Sequence, residues 1–368
     1  MVEWKKLGEV CEILDSQRKP VAKEERSQGI YPYYGANGIQ DYVSSYIFDG
    51  TFLLMGEDGS VINKDKSPVL HWTEGRIWVN NHAHILKENE RALLRYLYYS
   101  LQCTDVSDIV RGVPPKINQA NMRNIPIPIP SLSEQSRIVS ILDTFTSSIS
   151  NLKQQIEERR KQYEYERDLL LDLEGKEGVE MKKLGEVGDI CMCKRIMKDQ
   201  TSEKGDIPFF KIGTFGGKAD AYISRELFED YKEKYSYPKK GEILISAAGT
   251  IGRTVVFNGE DAYFQDSNIV WISNNEQLVL NTFLRYLYGV IDWKIDGGTI
   301  KRLYNYNLKN ATIYVPTLQA QSRIVSILDT FEQSISNLEE QLAMREKQYE
   351  YYRNQLLTFE GEEERGKT

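Results

Sequence analysis

Four cysteines and three histidines are the side chains best suited to metal or nucleophile chemistry, so their spacing comes first. Cys191 and Cys193 form a Cys-x-Cys pair, while Cys11 and Cys103 stand alone. A structural zinc site needs a second ligand pair or a nearby histidine, and neither is present. His82 and His84 in NNHAHI fall on one face if the segment is a strand, yet two histidines without a third ligand hold a metal weakly. Buried free thiols, no metal and no cofactor are expected. No N-P-P-[YF] or D-P-P-Y motif for base methylation occurs, and VPPK at Val113–Lys116 does not substitute for one. GTFGGKAD lacks the spacing and the Ser/Thr of a phosphate-binding loop. Catalysis by this chain itself is not expected.

The chain has 368 residues, room for two or three domains that each bury a core. Tyrosine is abundant, with 23 Tyr against 12 Phe and 5 Trp, and amphipathic aromatics suit wet interfaces as well as cores. No apolar run approaches the roughly 20 residues that span a bilayer. The opening MVEWKKLGEV lacks the apolar stretch of a signal peptide, so a cytoplasmic protein with no membrane partner is expected. The net charge of −7 is unevenly spread: residues 1–130 carry −1, 131–180 carry −4, 181–315 carry +2 and 316–368 carry −4. The near-neutral segments permit DNA binding without announcing it.

What must position any site is a tandem repeat. QSRIVSILDTF stands at Gln135–Phe145 and again, without a mismatch, at Gln321–Phe331. KKLGEV stands at Lys5–Val10 and at Lys182–Val187. Each half therefore opens alike, runs through a variable region, and closes on the same segment. Downstream of each fixed segment, apolar positions alternate steps of four and three, from Ile138, Leu142 and Phe145 to Leu173, and from Ile324, Leu328 and Phe331 to Phe359. That is a five-heptad seam, the signature of a coiled coil, with Arg159 and Arg345 at seam positions that set register or meet a partner. Pro130 and Pro316 block extension upstream, and Gly175 and Gly361 suit the ends. Thirty-six residues make a rod of about 54 Å.

The variable regions are rich in short strands punctuated by glycine, and each carries a helix containing RYLY. The fold class expected is α+β: two β-rich globular domains with a few helices, joined by two long helices that form an antiparallel coiled coil with pseudo-two-fold internal symmetry. The two domains then sit near opposite ends in inverted orientation. Boundaries fall at 1–130 and 131–175 for the first domain and helix. A linker at 176–180 opens the second domain, 176–315, before the second helix at 316–360 and a tail at 361–368.

In this order, repeated twice, these features resemble the specificity subunits of type I DNA restriction–modification systems. The likeness covers essentially the whole chain. It rests on the KLGEV openings, on SAAGTIG at Ser246–Gly252, and on the loops that lead through IPIPIP and ATIYVP into PSLSEQSRIV and PTLQAQSRIV. The resemblance implies two target-recognition domains, each reading one half of an asymmetric bipartite site in double-stranded DNA. It implies helices that space the half-sites and dock two methyltransferase (modification) subunits, in an assembly that also recruits restriction subunits. Half-sites one turn apart lie roughly 34 Å from each other, within the rod's reach.

A DNA reader needs cations for phosphates and polar side chains for base edges. Candidates in the first domain are Arg18, Lys19, Tyr33, Tyr34, Asn37, Lys64, Lys66, Arg111, Lys116 and Asn118. In the second they are Lys194, Arg195, Lys198, Lys211, Lys218, Arg253, Thr299, Lys301, Arg302, Tyr304, Asn305 and Tyr306, with KRLYNYN the foremost stretch. Two other readings compete. A coiled-coil adaptor whose domains bind proteins or glycans predicts no salt-dependent DNA affinity. The recognition subunit of a related type II system keeps the DNA-reading role with a different partner.

Overall fold

KKLGEV folds identically in both places, and the structure, a computed structural model describing residues 2–297 and 301–359, explains each of its letters. The lysines end short strands, Glu3–Lys6 and Glu180–Lys183, which pair antiparallel with Pro126–Ile129 and Thr312–Val315 and so clasp the start of each domain to its end. Leu7, Val10, Leu184 and Val187 are buried on single helical turns. The glutamates reach back to the lysine N–H groups, Glu9 to Lys6 at 3.2 Å and Glu186 to Lys183 at 2.6 Å, capping those turns. Gly8 and Gly185 let a later segment come close: an added Cβ would lie 2.9 Å from Arg123 Cγ and 3.2 Å from the Lys309 carbonyl oxygen.

The described chain divides into two compact units, Met1–Gln154 with Glu339–Thr368, and Gln155–Leu338. In the first, a six-stranded sheet runs in the order Glu12–Ile13, Ala83–Lys87, Phe48–Gly56, Leu70–Val79, Gln28–Gly35 and Gly38–Val43. The run FLLM in its middle is apolar throughout because both faces are covered. Leu53 and Met55 join one core cluster while Phe52 and Leu54 join another, as the two-residue period of a strand requires. The second unit has a four-stranded sheet, Gly188–Cys191, Ile269–Asn274, Ile243–Ser246 and Thr254–Val256. A three-stranded sheet packs against it in the order Ala221–Ile223, Ile207–Phe210 and Tyr263–Phe264.

The fixed segments open helices Leu132–Leu171 and Leu318–Leu357, each of 40 residues and so about 60 Å long. Ser131 Oγ and Thr317 Oγ1 cap them, accepting from Glu134 N and Ala320 N at 3.3 Å each. Within each unit the start of one helix packs on the end of the other, so the pairing is antiparallel. Phe145 stacks on Tyr352 at 5.3 Å in the first unit, and Tyr163 meets Phe331 at 6.5 Å in the second. The seam arginines lie over the phenylalanines of the fixed segments, Arg345 5.6 Å from Phe145 and Arg159 5.7 Å from Phe331. They are cation–π contacts between the helices and therefore register pins.

The heptad pattern overreaches at its ends. Ile138 and Leu142 belong to the first domain's core, joined there by Leu357, and Ile324 and Leu328 enter the second domain's core with Leu171 and Leu173. The first helix stops four residues before Gly175, whose φ of +68° serves a following turn. Gly361 and the tail 361–368 lie outside the described residues.

The RYLY helices, Leu94–Leu101 and Asn281–Tyr288, are pinned to the rod by its repeated aspartate. Arg95 Nε and Tyr99 Oη donate to Asp143 at 2.7 and 2.5 Å, and Tyr286 Oη donates to Asp329 at 2.5 Å.

Candidate nucleic-acid interface

In the first unit the chain turns back on itself between Arg111 and Lys116. Their backbones exchange two hydrogen bonds, Arg111 N to Lys116 O at 2.9 Å and Lys116 N to Arg111 O at 2.8 Å, closing a hairpin. The loop Gly56–Ser60, at the end of the apolar strand, holds its base. Gly59 N donates to Pro115 O (2.9 Å), Ile117 N donates to Glu57 O (3.0 Å), and Lys116 Nζ pairs with Glu57 at 3.2 Å. Arg111, Lys116 and Asn118 thereby line one concavity of about 340 Å³ with Asp58 and the hairpin tip. Asn118 also caps the helix Gln119–Arg123 through Asn121 N at 2.8 Å.

Beneath this hairpin lies a buried polar cluster that sequence reasoning missed. Asp15, Glu57 and His84 bring their ligand atoms within 4.8 Å of one another. Cations already meet this charge: Arg18 lies 2.6 Å from Glu57 and 3.6 Å from Asp15, and Lys116 holds the other Glu57 oxygen. His84 faces oxygen on both sides, Asp15 Oδ2 at 2.6 Å and Ile117 O at 2.8 Å. The donor set fits an ion-pair network that supports Ile117, next to the hairpin, better than a metal. His82 is exposed before the strand rather than beside His84 on its face.

Burial pushes the Asp15 carboxyl up, but the hydrogen bond and charge of His84, the Ile85 N–H and the Gln119 amide outweigh it and hold it below the usual range. A depressed carboxyl stabilises the fold fully above its unfolded value of about 3.9 and loses that contribution as pH falls through the folded value. The stability gap between wild type and Asp15→Asn is therefore expected to be constant from pH 7 to 5 and to shrink below about pH 4. Urea unfolding at stepped pH reads it, and a gap still undiminished at pH 2.5 would refute this account.

Two candidates are corrected by burial. Tyr33 is 1 % exposed, its hydroxyl accepting from Val21 N at 3.0 Å and its ring covered by Arg26 at 4.2 Å, so no face is left for a base. The Arg18 side chain is 12 % exposed and committed to Glu57, Asp15 and Ala83 O. Tyr34 is half-buried against the second core layer, while Asn37 is exposed at the hairpin turn before Gly38. Lys19 is exposed with its carbonyl accepting from Trp78 Nε1 at 2.6 Å. Lys64 and Lys66 sit on a separate turn; Lys66 pairs with Asp105 at 3.3 Å and its carbonyl accepts from Val106 N.

In the second unit three loops converge. Leu303 N donates to Ala247 O at 2.9 Å, joining the KRLYNYN segment to SAAGTIG. Arg253 Nη2 donates to Ile212 O at 3.2 Å and lies 5.6 Å from the Phe215 ring, which brings in the loop that carries Lys211 and Lys218. Ile212 N donates to Gln265 Oε1 (2.9 Å), next to Asp266, which pairs with Arg195 at 3.0 Å. Asp296 and Arg302 exchange two backbone hydrogen bonds (3.1 and 2.8 Å), the counterpart of Arg111 and Lys116. Tyr304 and Tyr306 are exposed and stacked at 5.9 Å, with the Tyr306 hydroxyl donating to Asp296; Asn305 begins the helix Asn305–Asn310. Lys301 is exposed, and Thr299 lies outside the described residues. Lys194 and Lys198 occupy a different loop, Lys194 5.0 Å from the Tyr235 ring. Lys211 is paired with Asp220 at 2.8 Å.

Comparison of the loops shows that Gly56–Val61 is the first unit's version of SAAGTIG. Both end a buried strand and hold the base of the late hairpin. The signal was a glycine-rich stretch after FLLM, but acidic residues replace the small ones and hid the match.

Of the free cysteines, burial pushes the thiols of Cys11 and Cys193 up to about 12. Cys103 is exposed, contrary to the expectation of buried thiols throughout. Among the described residues no helix is long and apolar enough to cross a membrane.

Two versions of one β-rich unit, each leading into the same long helix, define a duplicated scaffold. The sequence profile of the type I restriction modification DNA specificity domain matches residues 1–159 and again 176–344. A putative type I restriction enzyme specificity subunit of Haemophilus influenzae is 50 % identical over 375 residues, covering 97 % of this chain and 96 % of that one. The specificity subunit of the EcoR124I/EcoR124II type I restriction enzyme of Escherichia coli is 28 % identical, covering 97 % and 94 %. Among solved structures, the type I restriction–modification S subunit from M. genitalium aligns with a TM-score of 0.65 at 16 % identity, over 98 % and 97 % of the two chains. The chain belongs to the type I restriction–modification specificity subunit family.

Proposed function

We propose that each unit reads one half of an asymmetric bipartite site in double-stranded DNA. The long helices dock two modification subunits and, through the assembly, restriction subunits; the chain itself is non-catalytic and works in the cytoplasm. The observation that carries this reading is identity that folding does not demand. In the fixed segments Gln135, Ile138, Leu142 and Asp143 have packing or hydrogen-bonding duties, as do Gln321, Ile324, Leu328 and Asp329. Ser136, Arg137, Ser140 and Thr144 are exposed, and so are their identical counterparts Ser322, Arg323, Ser326 and Thr330. Spaced by four, Ser136, Ser140 and Thr144, like Ser322, Ser326 and Thr330, share a helix face whose small side chains admit close approach. Repetition of an exposed face suits two copies of one partner, whereas the segments RGVPPK and DGGTIKR differ in sequence.

Expressing the chain with its modification subunit and mapping methylated positions genome-wide tests this. The expected result is methylation confined to one two-part motif with a fixed gap. Exchanging residues 181–315 for those of another family member should alter one half of that motif and leave the other untouched. Methylation without a motif, or a swap that alters both halves, would defeat the reading.

A further inference from the structure

The hairpin of the first unit ends on an apolar tip that the fold does not use. Val113 is 101 % exposed, between Gly112 at a φ of +82° and two prolines. Pro114 and Pro115 have no N–H, so the tip is poor in donors. Its base is the opposite: two backbone hydrogen bonds close it, Glu57 and Gly59 hold it, and Arg111 and Lys116 flank it. A held base that presents an exposed apolar point beside Arg111 suits a surface that is anionic at its side and apolar at its centre. In the second unit Asp296 and Arg302 exchange the same pair of backbone hydrogen bonds before the helix Asn305–Asn310, just as Arg111 and Lys116 do before Gln119–Arg123. The closing pair is thus a shared device of the fold.

Duplex DNA offers one apolar group on its base-pair edges, the thymine methyl in the major groove. A tip with few donors cannot read the donor and acceptor pattern, but an isopropyl group can pack on that methyl. We propose that Val113 is a specificity-determining residue of the first unit that packs on a thymine methyl of its half-site, with Arg111 on a flanking phosphate. This rests on the DNA-reading function proposed above.

The test uses the full chain in complex with its modification subunit and duplexes carrying the mapped motif. Each thymine of the first half-site is replaced in turn by uracil, which lacks only the methyl. Wild type is expected to lose about fourfold in affinity at one thymine, the weight of one buried methyl. Val113→Gly should bind the all-thymine duplex about fourfold more weakly and be indifferent to that uracil. Arg111→Ala should weaken binding evenly across positions and flatten its salt dependence. Because Val113 is fully exposed, the thermal midpoint of Val113→Gly should match wild type. Wild type indifferent to every uracil, a variant that stays sensitive, or a half-site without thymine in either strand would each overturn the proposal. Weaker binding by Val113→Gly without uracil sensitivity also overturns it, and points instead to a minor-groove wedge. A wild-type complex with no preference for the motif defeats the DNA-reading function itself.

Discussion

Placing arginine at both Ser140 and Ser326 is expected to leave the chain folded and to strip it of both modification subunits. Each serine is exposed on its helix and takes no part in either core, so the substitution disturbs nothing within the unit. At a close-packed helical interface a long cation without a partner is buried at a cost of several kcal/mol, enough to weaken binding at least about 30-fold. The two faces are identical, so either single substitution should lower the stoichiometry from two partners to one. Size-exclusion chromatography with light scattering distinguishes the three outcomes, and circular dichroism checks the fold. Wild-type stoichiometry in the double variant would remove these faces from the docking surface.

Gln135→Ala is expected to destabilise the first unit strongly although it removes no apolar group from the core. The side chain is fully buried; its oxygen accepts from Leu93 N at 2.9 Å and its amide donates to Pro130 O at 3.0 Å. It ties the start of the RYLY helix to the strand end that leads into the rod. Alanine leaves a buried N–H and a buried C=O unpartnered, each costing about 1–3 kcal/mol, so a loss of about 3 kcal/mol is expected. Gln321 makes the same pair of bonds to Leu280 N and Pro316 O, both at 2.9 Å, and Gln321→Ala should cost the second unit as much. Denaturant unfolding followed by tryptophan fluorescence measures both losses. Trp72 and Trp78 report on the first unit, Trp271 and Trp293 on the second. A change below about 0.5 kcal/mol would show that water replaces the amide.

Repetition made much of the fold legible. Eleven identical residues announced two equivalent helices, and the four–three spacing announced their pairing. The pattern could not say where the seam becomes core, because Ile138 and Leu142 keep the same period whether they face a helix or a sheet. The site was harder to read. Residue type alone selects Arg111, Lys116 and Asn118, which the fold brings together on one hairpin, and equally Arg18 and Tyr33, which are internal. An arginine exposed on a loop and one that neutralises Glu57 differ only in what the fold places beside them. Asp15, 42 positions from Glu57 and 69 from His84, could not be joined to them by any local signal.

One core contains Leu7, Ile138 and Leu357, almost the full length of the chain apart. The unit that begins at the N-terminus therefore lacks part of its interior until residues 339–357 leave the ribosome. At about 5–20 residues per second, making the intervening stretch Gln155–Leu338 takes roughly 10–40 s. For most of that interval Phe145 and Ile149 present an apolar face without the segment that covers it in the finished unit. The first unit to be synthesised is the last to be finished, and a ribosome that stalls late releases a second unit in working order beside a first one with its flank uncovered.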